Sequence, residues 1–335
     1  MKLSVLDQSP MKSGVSPDEC IRETLDLAKS CEAYGYHRYW LSEHHNSEAL
    51  AGSAPEVLMA AIAATTSRIR LGSAGIMLPH YSAFKVAEQF RVLEAIAPGR
   101  IDLGVGRAPG ADGRTALALN PNASHAADAF PAQVRDLQAW TSGAELPLDH
   151  PFRTLRAEPR GPFAPQMWIL GSSNYGAQLA AWFGLPYCFA YFFSDGEGAA
   201  EALEIYRTQF RPSAVLDKPH CGIVVWAFAA DTQAEADYWF RSRALIQTIR
   251  PRGRFLALPT PEEAETVELT EIEKERMEGI KARAFVGTGQ ETANRLRALC
   301  AELKADELVI TTGVTNHEVR RNSFKLLAEA FGLGA

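Results

Sequence analysis

The chain has 335 residues, of which 47% are hydrophobic and 22% are charged, and its formal net charge is −6 at pH 7. This composition is typical of a globular protein and shows no collagen-like or disordered bias. The negative charge argues against a polyanionic partner such as nucleic acid, so a small-molecule substrate is the favoured interpretation. The length accommodates two average domains or a single α/β barrel.

Cysteine usage and the N-terminus predict a cytoplasmic location. The cysteines are odd in number, are widely spaced and form no C-x-x-C pair, which fits a reducing compartment. The opening "MKLSVLDQSP" reaches turn-forming residues too soon for the apolar core of a signal peptide. No apolar run is long enough to span a membrane.

Short β-branched or apolar runs recur along the chain, and each is followed by a segment with helical periodicity. This alternation predicts a parallel sheet with crossover helices. Eight such units favour a closed (β/α)8 TIM barrel over an open sheet, so we expect one domain over residues 1–335. The predicted strands cover residues 2–8, 38–43, 69–77, 100–106, 167–171, 187–193, 222–230 and 307–313.

Helix starts are predicted from capping boxes, in which a Ser or Thr accepts from the N3 amide and a Glu reaches back to the cap. The pairs with this spacing are Ser16 and Glu19, Ser53 and Glu56, Thr232 and Glu235, Thr288 and Glu291, and Thr315 and Glu318. Two stretches, 107–124 and 251–286, interrupt the alternation. We predict that residues 251–286 form an insertion or lid at the catalytic end, although a solvated surface excursion explains them equally well.

The segment "YWLSEHHN" ends the second predicted strand with Glu43, His44 and His45, at the face where a barrel builds its active site. Adjacent residues on a strand point in opposite directions, so the two histidines are not expected to bind one metal ion together. No H-x-H or H-E-x-x-H pattern supports a metal site. Whether Glu43 orients His44 or lies on the other side of the strand stays open.

Two further strand ends predict an anion site. In "ILGSSNYGAQL", Ser172 and Ser173 stand between a strand and a helix, where amides and hydroxyls gather around an anion. Arg107 follows the fourth strand and provides a guanidinium for a phosphate. Together these residues predict a phosphate-bearing ligand, although the spacing matches neither a P-loop nor a G-x-G-x-x-G fingerprint.

The chain resembles the bacterial luciferase-like flavin-dependent monooxygenases, especially their single-subunit, luciferase-alpha-like branch. The segments that carry the resemblance span almost the whole chain in the family's order. They are "YWLSEHHN", "IRLGSAGIMLPHYSAFKVAEQF", "LEAIAPGRIDLGVGRAPG", "WILGSSNYGAQLAAWFGLPYCFA" and "FVGTGQETANRLRAL".

This resemblance implies a barrel with an insertion after the seventh strand and FMN at its C-terminal face. The residues that it assigns to cofactor binding are Ala74, Gly75, Gly106, Arg107, Ser172, Ser173 and Gly176. A non-proline cis peptide is implied between Ala74 and Gly75, beside the isoalloxazine ring. His44 matches the family's active-site histidine. Gly106 departs from the reactive cysteine of the light-emitting alpha subunits, so light emission is not predicted.

By this resemblance, the protein is expected to oxidise a small organic substrate with reduced FMN and O2 through a C4a-peroxyflavin. A separate NAD(P)H:flavin reductase would deliver the reduced cofactor, and a homodimer is expected through the helices after the second and third strands. The alternatives are an F420-dependent oxidoreductase of the same superfamily, a non-catalytic flavin-binding protein, and a divalent-metal hydrolase that rests only on the Glu-His-His cluster. Tyr81, Tyr191, Phe192 and residues 251–286 are candidate substrate walls.

Overall fold

The structure is a computed structural model that describes residues 1–108, 110–253 and 256–334. The strands of these residues are β1 (Lys2–Asp7), β2 (Arg38–Leu41), β3 (Arg70–Met77), β4 (Ile101–Gly106), β5 (Gln166–Gly171), β6 (Tyr187–Phe189), β7 (Cys221–Ala230), β8 (Phe285–Thr288) and β9 (Glu307–Thr311). The first helices are α1 (Pro17–Ala33), α2 (Pro55–Ala63), α3 (Ala83–Ile96), α4 (Gly113–Leu119), α5 (Ala123–Ala126), α6 (Phe130–Ser142) and α7 (Asn174–Phe183). The others are α8 (Ala199–Gln209), α9 (Gln233–Ile249), α10 (Pro261–Glu265), α11 (Glu271–Arg283), α12 (Gly289–Leu303) and α13 (His317–Phe331).

The predicted TIM barrel is confirmed. Strands β1 to β7 pair in chain order, β7 pairs with β9, and β9 pairs with β1, so eight parallel strands close the barrel. The carboxyl ends of these strands and the loops after them form one face of the molecule, where a barrel carries its active site. Among the described helices, none has the combination of length and apolar character that crossing a bilayer needs.

The sequence interpretation missed one strand and placed the ends of four others, β1, β2, β6 and β9, one to four residues too far along the chain. Strand β8 lies outside the barrel, where it pairs with the last four residues of β7, and its half-exposed side chains gave no strand signal. Strand β2 ends at Leu41, because the amide of His44 donates to Gly52 O at 3.0 Å and leaves the ladder. Strand β6 ends at Phe189 and continues as a 3₁₀ turn. Glu43, His44 and His45 therefore lie in a loop.

Large side chains fill the inside of the barrel below the active-site face. The rings of Trp40 and Trp168 meet edge to face with centroids 5.0 Å apart. A Cβ at Gly72 would lie 2.6 Å from Trp40 Cδ1, so this glycine makes room for the indole. Burying each such side chain contributes about 1.5–3 kcal/mol to folding. The buried interior residues are Leu6, Trp40, Trp168, Cys188, Val224 and Val309.

A buried charge network lies at the opposite, N-terminal end of the barrel. Arg38 Nη1 donates to Asp102 Oδ2 at 2.7 Å, and Arg38 Nε donates to Glu307 Oε1 at 2.8 Å. All three side chains are at most 2% exposed. Each charge is paired, which offsets the cost of removing it from water.

Three of the five predicted helix caps are confirmed and two are wrong. The side chains of Ser16, Thr232 and Thr288 each accept from the amide three residues on. Helix α2 instead begins after Ala54 without a side-chain cap, because Ser53 lies one residue too early. Helix α13 is capped by Asn316, whose side chain accepts from the Val319 amide.

The segment 251–286, predicted as an insertion, carries α10 and α11, and its residues 254 and 255 lie outside the described residues. Each of these helices starts with a complete capping box, formed by Thr260 with Glu263 and by Thr270 with Glu273. The sequence interpretation overlooked both boxes. The Leu258 amide donates to Met11 O at 2.8 Å, which ties the insertion to the loop after β1. Its role as a lid stays a prediction.

Candidate active site

A cavity of ≈ 360 Å³ opens at the carboxyl ends of the barrel strands. Its walls come from the loops after β1 to β6 and from β7. Every residue that the sequence analysis assigned to catalysis or to cofactor binding lines this cavity. The roles of these residues stay predictions. These residues are His44, Ala74, Gly75, Gly106, Arg107, Ser172, Ser173 and Gly176.

His44 lines the cavity as a neutral imidazole. Its Nδ1 lies 3.2 Å from Ser42 Oγ, and this contact does not involve the other ring nitrogen, Nε2. Burial, together with a smaller contribution from neighbouring His45, lowers the pKa of His44 to about 4. At neutral pH the side chain therefore carries no charge, with one ring nitrogen able to accept a proton and the other to donate one.

The depressed pKa of His44 predicts a pH dependence of stability. In the unfolded chain the imidazole takes up a proton below its ordinary pKa of 6.5, whereas in the folded protein it stays neutral down to about pH 4. Stability is therefore lost as pH falls from 6.5 to 4, by up to about 2 kcal/mol at pH 5. Urea unfolding at pH 7.5 and 5 should show a smaller acid loss for His44→Gln than for wild type. Equal losses in the two proteins would contradict the buried, neutral imidazole.

Glu43 does not orient His44 but holds a separate polar cluster behind the cavity. Its Oε1 lies 2.7 Å from His45 Nε2 and accepts from Tyr81 OH at 2.6 Å, while Oε2 accepts from the Met77 amide at 3.0 Å. This arrangement answers the open question about Glu43 and gives His45 a structural partner. Tyr81, a candidate substrate wall, instead points its hydroxyl at Glu43, and burial raises the pKa of Tyr81.

The structure gives a metal site no support among the residues that it describes. Asp7, at the end of the neighbouring strand β1, is not available to complete such a site, because it accepts from Arg320 Nη2 at 2.7 Å and from Tyr39 OH at 2.6 Å. Across the described ranges, no group of three or more His, Cys, Asp or Glu side chains is placed to hold a metal ion. Glu43 and His45 bind each other.

The peptide bond between Ala74 and Gly75 is cis, as the family resemblance implied. Both residues line the cavity, at the point where β3 shifts its register against β4. A Cβ at Gly75 would lie 2.8 Å from both Gly104 O and Leu170 Cδ1. Only glycine therefore fits at this position against strands β4 and β5.

The predicted anion site combines Arg107 with the N-terminus of α7. The Arg107 side chain is exposed, and its Cζ lies 4.1 Å from the centroid of the Tyr175 ring. Ser173 is the N-cap residue of α7 but makes no side-chain cap hydrogen bond. Both serines are exposed, so their hydroxyls and the first-turn amides of α7 are available to an anion.

Gly176 lets this helix end approach the barrel closely. A Cβ at Gly176 would lie 3.3 Å from Tyr187 Cε2, and Tyr187 OH donates to Ser173 O at 3.2 Å. A larger residue at position 176 would move the α7 amides away from the cavity. The glycine therefore positions the anion site rather than contacting a ligand through a side chain.

Several cavity residues were missed by the sequence interpretation. Tyr175 stands two residues after Ser173, and the available signal was an aromatic residue in the first turn of a helix that was predicted to bind an anion together with Arg107. Met77 and Phe193 also line the cavity, yet nothing in the sequence separates them from ordinary barrel packing. Of the proposed aromatic walls, Phe192 lines this cavity.

Comparison with known proteins agrees with this site. A sequence model of the luciferase-like monooxygenases matches residues 1–307. The chain is 38% identical over 323 residues to a luciferase-like monooxygenase of Escherichia coli (strain K12), covering 96% of this chain and 95% of the relative. It is 36% identical over 331 residues to the N-acetyl-S-alkylcysteine monooxygenase of Bacillus subtilis (strain 168), covering 98% of both chains.

Solved structures share the fold. The crystal structure of apo-MsnO8 is 33% identical, with a TM-score of 0.89, and the match covers 99% of this chain and 98% of that one. Two more distant structures show the fold alone. The oxygenating constituent of the 3,6-diketocamphane monooxygenase of Pseudomonas putida, in complex with FMN, is 18% identical with a TM-score of 0.70, covering 98% of this chain and 97% of that one. An F420-dependent secondary alcohol dehydrogenase is 15% identical with a TM-score of 0.66, covering 98% of both chains.

The relatives from E. coli and B. subtilis are both named monooxygenases and align with nearly the whole chain. They confirm the predicted enzyme class, a flavin-dependent oxidoreductase. With the match over residues 1–307, they establish that the chain belongs to the luciferase-like monooxygenase family.

Proposed function

We propose that the protein is an FMN-dependent monooxygenase, which uses reduced FMN and O2 to oxidise a small organic substrate. The observation that carries the proposal is the single cavity in which His44, the cis Ala74–Gly75 peptide and the anion site of Arg107 meet. The named monooxygenases among the relatives favour FMN over F420, because a monooxygenase needs a reduced cofactor that reacts with O2.

The residues present fit the phosphate of FMN. Arg107, Ser172, Ser173 and the first amides of α7 would hold it, since a helix N-terminus favours negative charge and a guanidinium adds charge-assisted hydrogen bonds. The hydroxyl of Ser173 is free for this purpose because it does not cap its own helix. Ala74 and Gly75 would lie beside the flavin ring system.

An Arg107→Ala variant is expected to bind FMN about 10- to 150-fold more weakly, which corresponds to the loss of about 1.5–3 kcal/mol from a charge-assisted hydrogen bond. Fluorescence titration of the purified protein with FMN measures the dissociation constant. Arg211→Ala is a matched control, because Arg211 Cζ lies 3.5 Å from the Trp182 ring centroid near the other end of α7. An unchanged dissociation constant for Arg107→Ala would contradict the proposal that Arg107 binds the phosphate of FMN.

Bound FMN in its reduced form supplies the electrons that activate O2. The protein's own contributions are a proton carrier and a dry site. Neutral His44 presents one ring nitrogen that can accept a proton and one N–H that can donate a hydrogen bond at the cavity wall, and its pKa of about 4 makes it a weak base at neutral pH. Met77, Phe130 and Phe192 provide apolar wall, which reduces the access of water to the reacting groups.

The partners follow from the same proposal. A separate NAD(P)H:flavin reductase would deliver the reduced cofactor, and the substrate would be a small organic molecule. The relative from B. subtilis makes N-acetyl-S-alkylcysteines a first class of compound to test. A cytoplasmic location accords with the cysteines, all of which are free and buried in the structure, and stays a prediction.

A homodimer through α2 and α3 is also part of the proposal. These helices expose Val57, Val92 and Ile96, which are 64%, 47% and 50% accessible. Covering such apolar side chains with a partner subunit is favourable, because it removes them from water.

A non-catalytic flavin-binding protein is a further alternative, and the cavity with its neutral histidine favours turnover over storage.

A further inference from the structure

A second cavity of ≈ 230 Å³ lies beside the active-site cavity. Phe192 lines both cavities, so they share a wall. Most of the surface of the second cavity is apolar and comes from aromatic rings. The aromatic residues that line it are Tyr191, Phe192, Trp226, Phe240 and Phe285.

Strand β7 relates the two cavities in space. Val224 lines the active-site cavity, whereas Val225 and Trp226, the next two residues along the same strand, line the second cavity. Successive residues on a strand point to opposite faces and stand about 3.3 Å apart along it, so the second cavity reaches both faces of β7. The second cavity also lies farther along β7 toward the strand's carboxyl end.

Arg243 is the charged group of interest in the second cavity. It comes from α9, is half-buried, and lines both this cavity and a smaller neighbouring one of ≈ 80 Å³. Its Cζ lies 5.4 Å from the centroid of the Trp226 ring, a cation–π distance. With its amide oxygen turned toward the guanidinium, Gln247 accepts from Arg243 Nη1 at 2.9 Å and from Nη2 at 2.7 Å.

Within the described parts of the chain Arg243 forms no salt bridge, and its hydrogen-bond partner is the neutral Gln247. The negative charge that acts on it comes from Asp195, which also lines the second cavity but is itself paired with Arg283 at 3.3 Å. Burial lowers the pKa of Arg243 to about 10, so it remains a cation at neutral pH. Arg241, two residues earlier on α9, has Glu265 as a partner.

A half-buried cation with only a neutral partner is costly, because it has lost water without gaining a counter-charge. A guanidinium matches a carboxylate in geometry and binds it with two parallel hydrogen bonds. The aromatic walls beside Arg243 offer apolar contact to the body of such a ligand. The arrangement has the features of a binding site for an organic anion.

We propose that Arg243 binds the carboxylate of an anionic organic substrate, whose apolar part lies among the aromatic rings of the second cavity and whose reacting end extends past Phe192 toward His44. The proposal rests on the proposed function, since it assigns a substrate class to the same enzyme. It makes Arg243 a specificity-determining residue, and Trp226 and Phe285 contact residues for the substrate body.

Calorimetric titration of the full-length, flavin-free protein tests this proposal without enzyme activity. The probes are 4-phenylbutyrate and its uncharged counterpart 4-phenylbutanamide, which differ in charge but hardly in shape. Wild type is expected to bind the acid at least about tenfold more tightly than the amide, the discrimination expected of a charge-assisted pair. Arg243→Gln should bring the ratio of the two dissociation constants to within about twofold, and Arg243→Lys should restore part of it.

Two control variants locate the effect. Arg241→Gln removes a cation from the same helix and should leave the preference for the acid intact. Arg107→Ala should also leave it intact, because a loss there would mean that the acid binds at the proposed phosphate site. A wild-type protein without a preference for the acid, or an Arg243→Gln variant that keeps it, would overturn the proposal. FMN titration in parallel separates this result from the proposed function, which fails only if FMN does not bind.

Discussion

His44→Ala is expected to bind FMN as tightly as wild type and to oxidise substrate about 10²- to 10⁴-fold more slowly, the range for a lost general acid–base group. The imidazole lines the cavity but belongs to the loop after β2, away from the anion site at α7. Removing it should therefore leave cofactor affinity unchanged. The measurements are an FMN titration and the steady-state rate on any organic substrate that the wild-type enzyme oxidises.

The pH profile adds a readout that a purely structural role would not change. With a pKa of about 4, His44 stays neutral through the range in which an ordinary histidine titrates, so kcat should not fall between pH 7.5 and 6 because of this residue. His45→Gln is the control, since His45 contacts Glu43 and is not among the residues that line the cavity. If His44→Ala oxidised substrate at the wild-type rate, His44 would have no part in the reaction.

Arg38→Met is expected to lower the free energy of unfolding by about 3–5 kcal/mol, or to prevent folding at 37 °C. The substitution keeps the apolar stem but removes the guanidinium that joins Asp102 to Glu307. Both carboxylates are fully buried; without that cation Asp102 would keep Arg70 as a partner, whereas Glu307 would be left with Ser4 and His220 and its pKa would rise. Urea unfolding monitored by circular dichroism gives the change, provided that the slope with denaturant is unchanged.

Arg22→Met serves as the matched control for this experiment. Arg22 pairs with Asp18 on the surface of α1, where its side chain is 61% exposed. A surface pair of this kind contributes about 0–1 kcal/mol. A loss of less than about 1 kcal/mol in Arg38→Met would contradict the account of the network at the base of the barrel.

The barrel could be predicted from the sequence because its strands are short apolar runs separated by helical segments at regular intervals. The strand ends could not be fixed so well. In the sequence, Glu43 and His45 continue the alternating pattern of β2. In the structure, the two residues lie in a loop and contact each other. Strand β8 was missed because "FVGT" is half-exposed and pairs only with the extension of β7.

The candidate site could be predicted where a reactive or charged side chain follows the end of a strand. His44, Arg107 and Ser172 follow strand ends, and the barrel topology alone brings such positions together. The cis peptide at Ala74 came from the family resemblance, since no local residue pattern indicates it. Tyr175, whose ring lies under Arg107, is a consequence of how α7 starts.

Arg243 marks the limit of sequence reasoning for this chain. It lies within α9, thirteen positions after the end of β7. Its approach to Trp226, the last residue of β7 that pairs with β9, depends on how α9 packs against β7 and against the insertion. Nothing in "FRSRALIQ" distinguishes Arg243 from Arg241, although one lines a cavity and the other pairs with Glu265.

Anaerobic titration of the purified protein with reduced FMN and, separately, with reduced F420 tests the central claim most directly, when each complex is then mixed with O2. The account predicts saturable binding of reduced FMN with the lower dissociation constant, and reoxidation of the bound flavin by O2, followed by its absorbance. Tighter binding of reduced F420, with a cofactor that O2 leaves reduced, would contradict the assignment as an FMN-dependent monooxygenase.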